Sequence, residues 1–474
     1  MNTQHFLTWV LVICLLLPTL PVQAQDAPAV PVAPQAYISV NSLGDEADAD
    51  TGDGICDTTG KRSPATPYSG ICTLRAAIQT ANNTSAADFI DMRIMGVIQP
   101  AADDLPAIYH PVTISGNSTV TLDGSLLPTG TNQAGLKLFE NGGGSTIQGL
   151  TIRKFSGWGV LVGDRVGGST IQNNTIRENG MGIQISSDSP TNTVASNVIV
   201  LNSGLTGNGI TANSNGNTIK GNKIGADGVQ DQGNAGHGIR IAGSNNLVGA
   251  ATGISAGGAC TGDCNLIASN GSSGIEIGQG TDKSQGINNI VSGNFIGANL
   301  VGTAAIPNDD NGITTNGDYN SIISNLIAGN GSADAFDGAH GVYLEAGAIN
   351  YIGVFPDGVS QAANHGHGIL ITRSADIWIG GTADGQGNVI AYNGYWRDSV
   401  YDSVVVVGHN AANNRILRNW NGLAWVDAAT TGTPTSTYDR QPAANQLGMD
   451  ICHLTPYALM GPARVDLYLP VITR

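Results

Sequence analysis

Little of this 474-residue chain is charged and less is aromatic: Asp, Glu, Lys and Arg make up 12%, and Phe, Trp and Tyr 5%. Only 20 Lys and Arg stand against 36 Asp and Glu, a formal net charge of −16. Binding a nucleic-acid backbone relies on clustered Lys and Arg, so no nucleic-acid partner is expected, and the acidic surplus reads mainly as solubility. No apolar run is long enough to cross a bilayer. The run from Leu7 to Leu17 is too short, and Pro18 and Pro21 close it. Nor does any series of alternating ~10-residue strands, of the kind that builds an outer-membrane barrel, follow the central repeats.

What is present begins with a secretory signal over 1–24, where the apolar run leads to the small-residue cleavage site Val22-Gln23-Ala24. Its first residues carry no Lys or Arg, which leaves the amino terminus as the positive charge. A Pro/Ala linker, 25–36, follows.

Two patterns then recur. The first reads STIQNNTI from Ser169, NTVASNVI from Asn192, NTIKGNKI from Asn217, NIVSGNFI from Asn289 and NSIISNLI from Asn320. The second is Gly-apolar-x-apolar, at Gly159, Gly182, Gly238, Gly274, Gly341 and Gly368. Starting positions 145, 169, 192 and 217 give spacings of 24, 23 and 25 residues, a period that signals a solenoid. Alternation within each copy is period two, so the units are strands, and each can bury its apolar face only against the units above and below. Leucine-rich repeats share the period, but their Leu ladder is missing. The expected fold is all-β: a right-handed single-stranded parallel β-helix over 111–421, with rungs ~4.8 Å apart. Asn174, Asn197, Asn222, Asn294 and Asn325 all take the sixth place of their copies. There Asn is expected to adopt the left-handed conformation of a bend and to stack its amide from rung to rung.

The stretch before the repeats contains Gly52-Asp53-Gly54-x-Cys56, then Cys72-Thr73-Leu74-Arg75-Ala76, then Leu105-Pro106 and PVTISGNSTVTLDG from Pro111. In this it resembles the bacterial proteins whose amino-terminal module is named for a Cys-Ser-Leu-Arg-Glu-Ala signature preceding a right-handed β-helix. Thr73 replaces the Ser, and no Glu follows Arg75. The resemblance covers roughly 37–421 and implies an amino-terminal module over 37–110. The residues themselves place Leu74, Ala77, Ile78 and Ala81 on one face of a helix with Thr73 as its N-cap, suited to cover the open end of the stack. Cys56 and Cys72 would pair in an oxidising compartment and tie the preceding acidic loop to that helix. In that loop Asp45, Asp48, Asp50 and Asp53 offer oxygen ligands for calcium, but the spacing fits no helix-loop-helix calcium loop, and a solvated loop is the plainer reading. Cys260 and Cys264, in an insertion between two rungs, read as a loop-tightening disulfide, which leaves Cys452 unpaired. No metal site and no cofactor is expected.

Chemistry in this fold class works along the side of the helix. Galacturonan hydrolases carry Asp-Asp, Gly-His-Gly and Arg-x-Lys in that order, whereas this chain has Asp309-Asp310, Gly366-His367-Gly368 and an Arg415 without the Lys. More than two rungs are expected between the first two motifs, too far for one bond. The residue before each second-pattern Gly forms a column through Asn311, His340 and His367. Asp309, Asp310, Asp334 and Asp337 lie in the same or neighbouring turns, and His365 lies beside His367. Two imidazoles one rung apart with carboxylates can share a proton, yet the slot elsewhere holds Trp158, Met181, Asn208 and Ser273, which points to a plain turn column. A second candidate gathers Tyr392, Tyr395, Trp396 and Tyr401, rings suited to sugar faces or to closing the last rungs. Residues 422–474 read as a Thr/Pro linker and a tail. The expected function is a secreted or cell-surface binding module, toward carbohydrate, with a polysaccharide lyase or glycoside hydrolase, or a structural spacer, as alternatives.

Overall fold

The computed structural model describes residues 36–331 apart from 61–69, 129–132, 205, 229–231, 250–257, 279–284 and 318, and beyond 331 only short strands and isolated turn residues. The signal segment, Asp334, Asp337, His340, His367, Tyr392, Tyr395, Trp396, Tyr401 and Cys452 lie outside the described residues.

Each rung supplies three short strands, and every strand pairs in parallel with its counterpart one rung away. In the first sheet Thr170–Gln172, Thr193–Ala195, Thr218–Lys220, Leu247–Gly249, Ile290–Ser292 and Ser321–Ile323 succeed one another in register. In the second, Thr175–Arg177, Val198–Val200, Lys223–Ile224, Leu266–Ile267, Phe295–Ile296 and Leu326–Ile327 do the same. The third is a 10-stranded sheet whose middle strands are Trp158–Val162, Met181–Ile185, Ile210–Ala212, Ile239–Ile241, Ile275–Ile277 and Ile313–Thr315. Alternation decides which side chains go in: Ile171, Val194 and Ile219 are fully buried over one another while Thr170, Thr193 and Thr218 face out. Burying such a side chain contributes about 1.5–3 kcal/mol, so the aliphatic stack is the main source of stability.

At the bends, each corner uses two consecutive residues. The left-handed one is the fifth of the copy: Asn173 (φ 54°), Ser196 (56°), Gly221 (64°), Gly293 (66°) and Ser324 (55°). The expectation that the sixth-place Asn itself takes this conformation is therefore corrected. The turn of the backbone is completed one residue earlier, which leaves the Asn side chain buried at the corner. There the amides do stack. Asn174, Asn197, Asn222, Asn265, Asn294 and Asn325 each pass an Nδ2–H to the Oδ1 of the next at 2.9–3.1 Å. Two further ladders, absent from the sequence expectations, occupy the other corners. One runs through Asn192, Asn217, Asn246, Asn289 and Asn320. The other runs from Asn179 through Asn202, Asn234, Asn270, Asn308, Asn330 and Asn364 to Asn393. Asn222 shows why the amide is needed. Its Oδ1 accepts from Asn197 N and Nδ2, and its Nδ2 donates both to Val194 O at 2.9 Å and to Asn265 Oδ1 at 3.0 Å, so a fully buried polar group has no unmet bond.

The amino-terminal segment is part of the same stack. Tyr37–Val40 pairs with Asp88–Met92, which pairs with Val112–Asp123, so no break falls at 110/111. Helix α1 (Leu74–Ala81) lies between the first two strands in sequence, with Thr73 Oγ1 accepting Ala76 N–H at 3.1 Å as its N-cap. Its Leu74, Ala77, Ile78 and Ala81 are buried in one apolar cluster with Ile38, Val40 and Ile90. Cys56 and Cys72 are disulfide-bonded, as are Cys260 and Cys264.

That second disulfide lies within a rung and not between two. Leu247–Gly249 stacks on Thr218–Lys220 and Leu266–Ile267 on Lys223–Ile224, so the insertion leaves the stack at the corner separating two strands of one turn. Its Cys260 and Cys264 are buried against the outside of the second sheet, in a second apolar cluster with the outward-facing Leu266, Phe295 and Leu326 and with Ala298. Near the carboxyl end, Asp439–Gln441, Gln446–Gly448 and Leu469–Pro470 form a three-stranded antiparallel sheet inside the stretch expected to be linker and tail.

Candidate functional site

Inward residues of the third sheet are aliphatic except Thr315, and its outward side carries two adjacent, largely polar columns. Gln184, Thr211, Arg240, Glu276 and Thr314 follow one another in register. Beside them, two residues before the first inward Ile of each strand, run Met181, Asn208, His237, Ser273 and Asn311, with Trp158 registered above Met181. Asn311 belongs to this column, while His340 and His367 lie outside the described residues. One member that the sequence reading passed over is His237, although it precedes Gly238 in the same repeated pattern.

Side chains of the two columns interlock. Trp158 Nε1 donates to Gln184 Oε1 at 2.9 Å, and Asn208 Nδ2 to Thr211 Oγ1 at 3.2 Å. Arg240 Nε donates to Glu276 Oε2 at 2.8 Å, and His237 Nε2 stands 3.4 Å from the same oxygen. On the next rung Ser273 Oγ donates to Asp310 Oδ2 at 3.1 Å and lies 3.1 Å from Thr314 Oγ1, which also accepts from Asn311 Nδ2 at 3.0 Å. The stripe is recessed: His237, Arg240 and Glu276 side chains are 21%, 23% and 19% exposed. Burial lowers the His237 pKa and Arg240 lowers it further, against the opposing pull of Glu276, Asp310 and a backbone hydrogen bond to Ser273. His237 Nδ1 is buried without a hydrogen-bond partner among the described residues.

At its amino-terminal end the stripe runs into a groove of about 330 Å³ at the corner of the second and third sheets, lined by Gln133, Lys154, Ser156, Glu178, Gly180 and Ser203 among others. Ser156 and Gly180 of the groove precede Trp158 and Met181 of the stripe by two residues and one.

Of the residues singled out from sequence, Asp310 and Asn311 join this stripe, and Asp309 is exposed in the same turn with its N–H on Asn270 O at 2.8 Å. His365 sits in a turn with its N–H on Asn330 O at 3.0 Å. Strand Ile313–Thr315, after Asp309-Asp310, pairs with Val342–Tyr343, which pairs with Ile369–Thr372, so two rungs separate the strands that follow the two motifs. The larger separation expected from sequence is corrected by these two pairings. In the acidic loop Asp45 is bound to Arg75 at 2.9 Å, and Asp48 accepts from Thr80 Oγ1 at 2.6 Å. Asp50 and Asp53 accept from the N–H groups of Gly52 and Ile55. The first pair is half-buried and partnered, not solvated as expected. Among the described residues no group of three or more His, Cys, Asp and Glu is placed to hold a metal, and no helix is long and apolar enough to cross a membrane.

Residues 107–224 match the family described as "Right handed beta helix region". Among solved structures the chain is similar to ORF18 of Geobacillus virus E2, at 11% identity and a TM-score of 0.38, over 87% of this chain and 66% of that one. It is similar to the pectate lyase Pel9A at 13% identity and a TM-score of 0.35, over 86% and 85%. The catalytic domain of Agl-KA follows at 15% and 0.36, over 81% and 70%. The chain therefore spans just under two thirds of the viral protein's length. No curated protein matches it. With its three stacked parallel sheets and this match, the chain has an all-β, right-handed parallel β-helix fold.

Proposed function

We propose that this chain is an exported β-helix protein that binds polysaccharide along the outer face of its third sheet. One observation carries the reading: hydrogen-bonding side chains recur there rung after rung at the ~4.8 Å strand spacing, beginning at Trp158 and a corner groove. A linear chain of repeated units with hydroxyls on its edges and apolar ring faces is the ligand class that such a combination of planar polar groups and an indole suits. Two disulfides, with the signal sequence expected over 1–24, support an oxidising destination outside the cell.

Affinity electrophoresis of the full chain through gels containing a panel of polysaccharides tests this. Trp158→Ala and Gln184→Ala should each weaken retention about tenfold on any polymer that retards the parent. Retention unchanged in both would sink the site assignment, and Trp396→Ala examines the aromatic segment near 392–401 in the same gels. New chain ends appearing on incubation would favour the lyase or hydrolase alternative.

A further inference from the structure

We infer that the polysaccharide bound by the third sheet is uncharged, an inference that rests on the binding reading above. A polymer of uronate or sulfated sugars presents a negative charge at nearly every unit, and a protein that holds one answers with unpaired cations along the track. Between residues 36 and 331 almost every described cation is already committed. Arg75 is paired with Asp45, Arg93 with Asp91, Lys137 with Asp104, Arg153 with Asp123, Arg177 with Glu178, Lys220 with Asp263, and Arg240 with Glu276. Lys154, in the corner groove, stands 3.9 Å from the Asp123 oxygen that Arg153 holds, and Glu178 lines the same groove. Two described cations are in no such pair. Arg165 is in the turn after Trp158–Val162, and Lys223 is on the second sheet; neither belongs to the stripe.

Within the stripe Arg240 is neutralised by Glu276, and His237 is held toward its neutral form by burial, which leaves the exposed carboxylate of Asp310 as the uncompensated charge. The chain's net charge of −16 adds a repulsive field at longer range. The stripe's other groups are neutral: Gln184 and Thr314 offer hydrogen bonding beside the Trp158 indole, which matches hydroxyl groups and not carboxylates.

The deciding experiment compares neutral polymers (β-glucan, α-glucan, mannan, arabinoxylan) with acidic ones (polygalacturonate, alginate, chondroitin sulfate) for the full chain. It is run at low and at physiological salt, with and without calcium, using the parent and Trp158→Ala. Retention by a neutral polymer, weakened about tenfold by Trp158→Ala and nearly indifferent to salt, together with none by the acidic set, is the expected result. Retention by an acidic polymer that is lost in Trp158→Ala overturns the charge class and leaves the binding site standing. Retention by neither set overturns the binding reading and this inference with it.

Discussion

His237 and Arg240, two outward residues of one rung, converge on a single oxygen of Glu276 on the next, at 3.4 Å and 2.8 Å. Glu276 Oε2 thereby ties two rungs together on the outside of the sheet, where the inward residues of the same two strands are Ile239, Ile241, Ile275 and Ile277.

A pH dependence follows from that contact. An unfolded His titrates near 6.5, and burial, the largest cause, sets folded His237 below it. Between the two values the unfolded chain binds more protons, so this group's contribution to stability is full above about 6.5 and is lost as pH falls through the folded value. Urea midpoints measured from pH 5 to 8 should fall toward the acid side, and His237→Gln should flatten that part of the profile. A parent and variant with parallel profiles would contradict it.

The ion pair beneath it is four-fifths buried, so its worth should exceed that of a freely solvated pair without reaching that of a core one. Glu276→Gln and Arg240→Gln should each cost about 1 kcal/mol, and the double variant should recover most of the second loss in a mutant cycle. Strict additivity of the two losses would show that the contact contributes nothing.

Asn222 is replaceable by neither its smaller nor its charged neighbour. Asn222→Ala removes the acceptor of Asn197 N and of one Nδ2 proton, and one donor to Val194 O, at a fully buried corner, for a loss of about 3 kcal/mol. Asn222→Asp should be worse at neutral pH and partly recover in acid, where a protonated carboxyl can again donate. Thermal scans at pH 4.5 and 7.5 check this; an Asp variant no worse than Ala at pH 7.5 would refute it.

The two disulfides should differ in reach. Cys56–Cys72 closes 16 residues and should be worth about 3 kcal/mol, whereas Cys260–Cys264 closes 4 and should be worth about 2 at most. Removing the second should chiefly open the 250–264 insertion to protease while the global transition moves less than with the first. Equal shifts on removing either would argue that the insertion supports the whole stack.

The rungs were legible because their signal is local: alternating Ile and Thr, and Asn at a fixed place, are visible without any distant contact. Asn265 escaped notice because an insertion divides its rung, so its partner Asn222 is 43 residues away instead of about one period. Asn179 and Asn202 lie between the two repeated patterns at no fixed distance from either, three residues before Gly182 and seven before Gly209, and only the registered pairing brings them together. His237 stood in the repeated slot and was readable, but its importance depends on Arg240 and Glu276, and no spacing announces that three polar residues on two rungs share an oxygen. The outward Phe295 could not be placed from sequence either, since alternation gives it the solvent side and only the inserted loop explains its burial.

The asparagine ladders also give the stack a direction. In every Asn-to-Asn link the earlier rung donates and the later rung accepts: Asn174 to Asn197 and Asn197 to Asn222 do so from both the backbone N–H and Nδ2, and Asn192 to Asn217 from the backbone N–H. A chain cut after a complete turn therefore ends on amide N–H groups that have lost their Asn acceptors, while the face exposed by removing the earlier rungs carries amide oxygens without donors beside Nδ2 groups that have lost a backbone acceptor, as Asn222 would lose Val194 O. The two ends of such a fragment are chemically unlike, and a following rung is received by hydrogen-bond donors already held in place at all three corners.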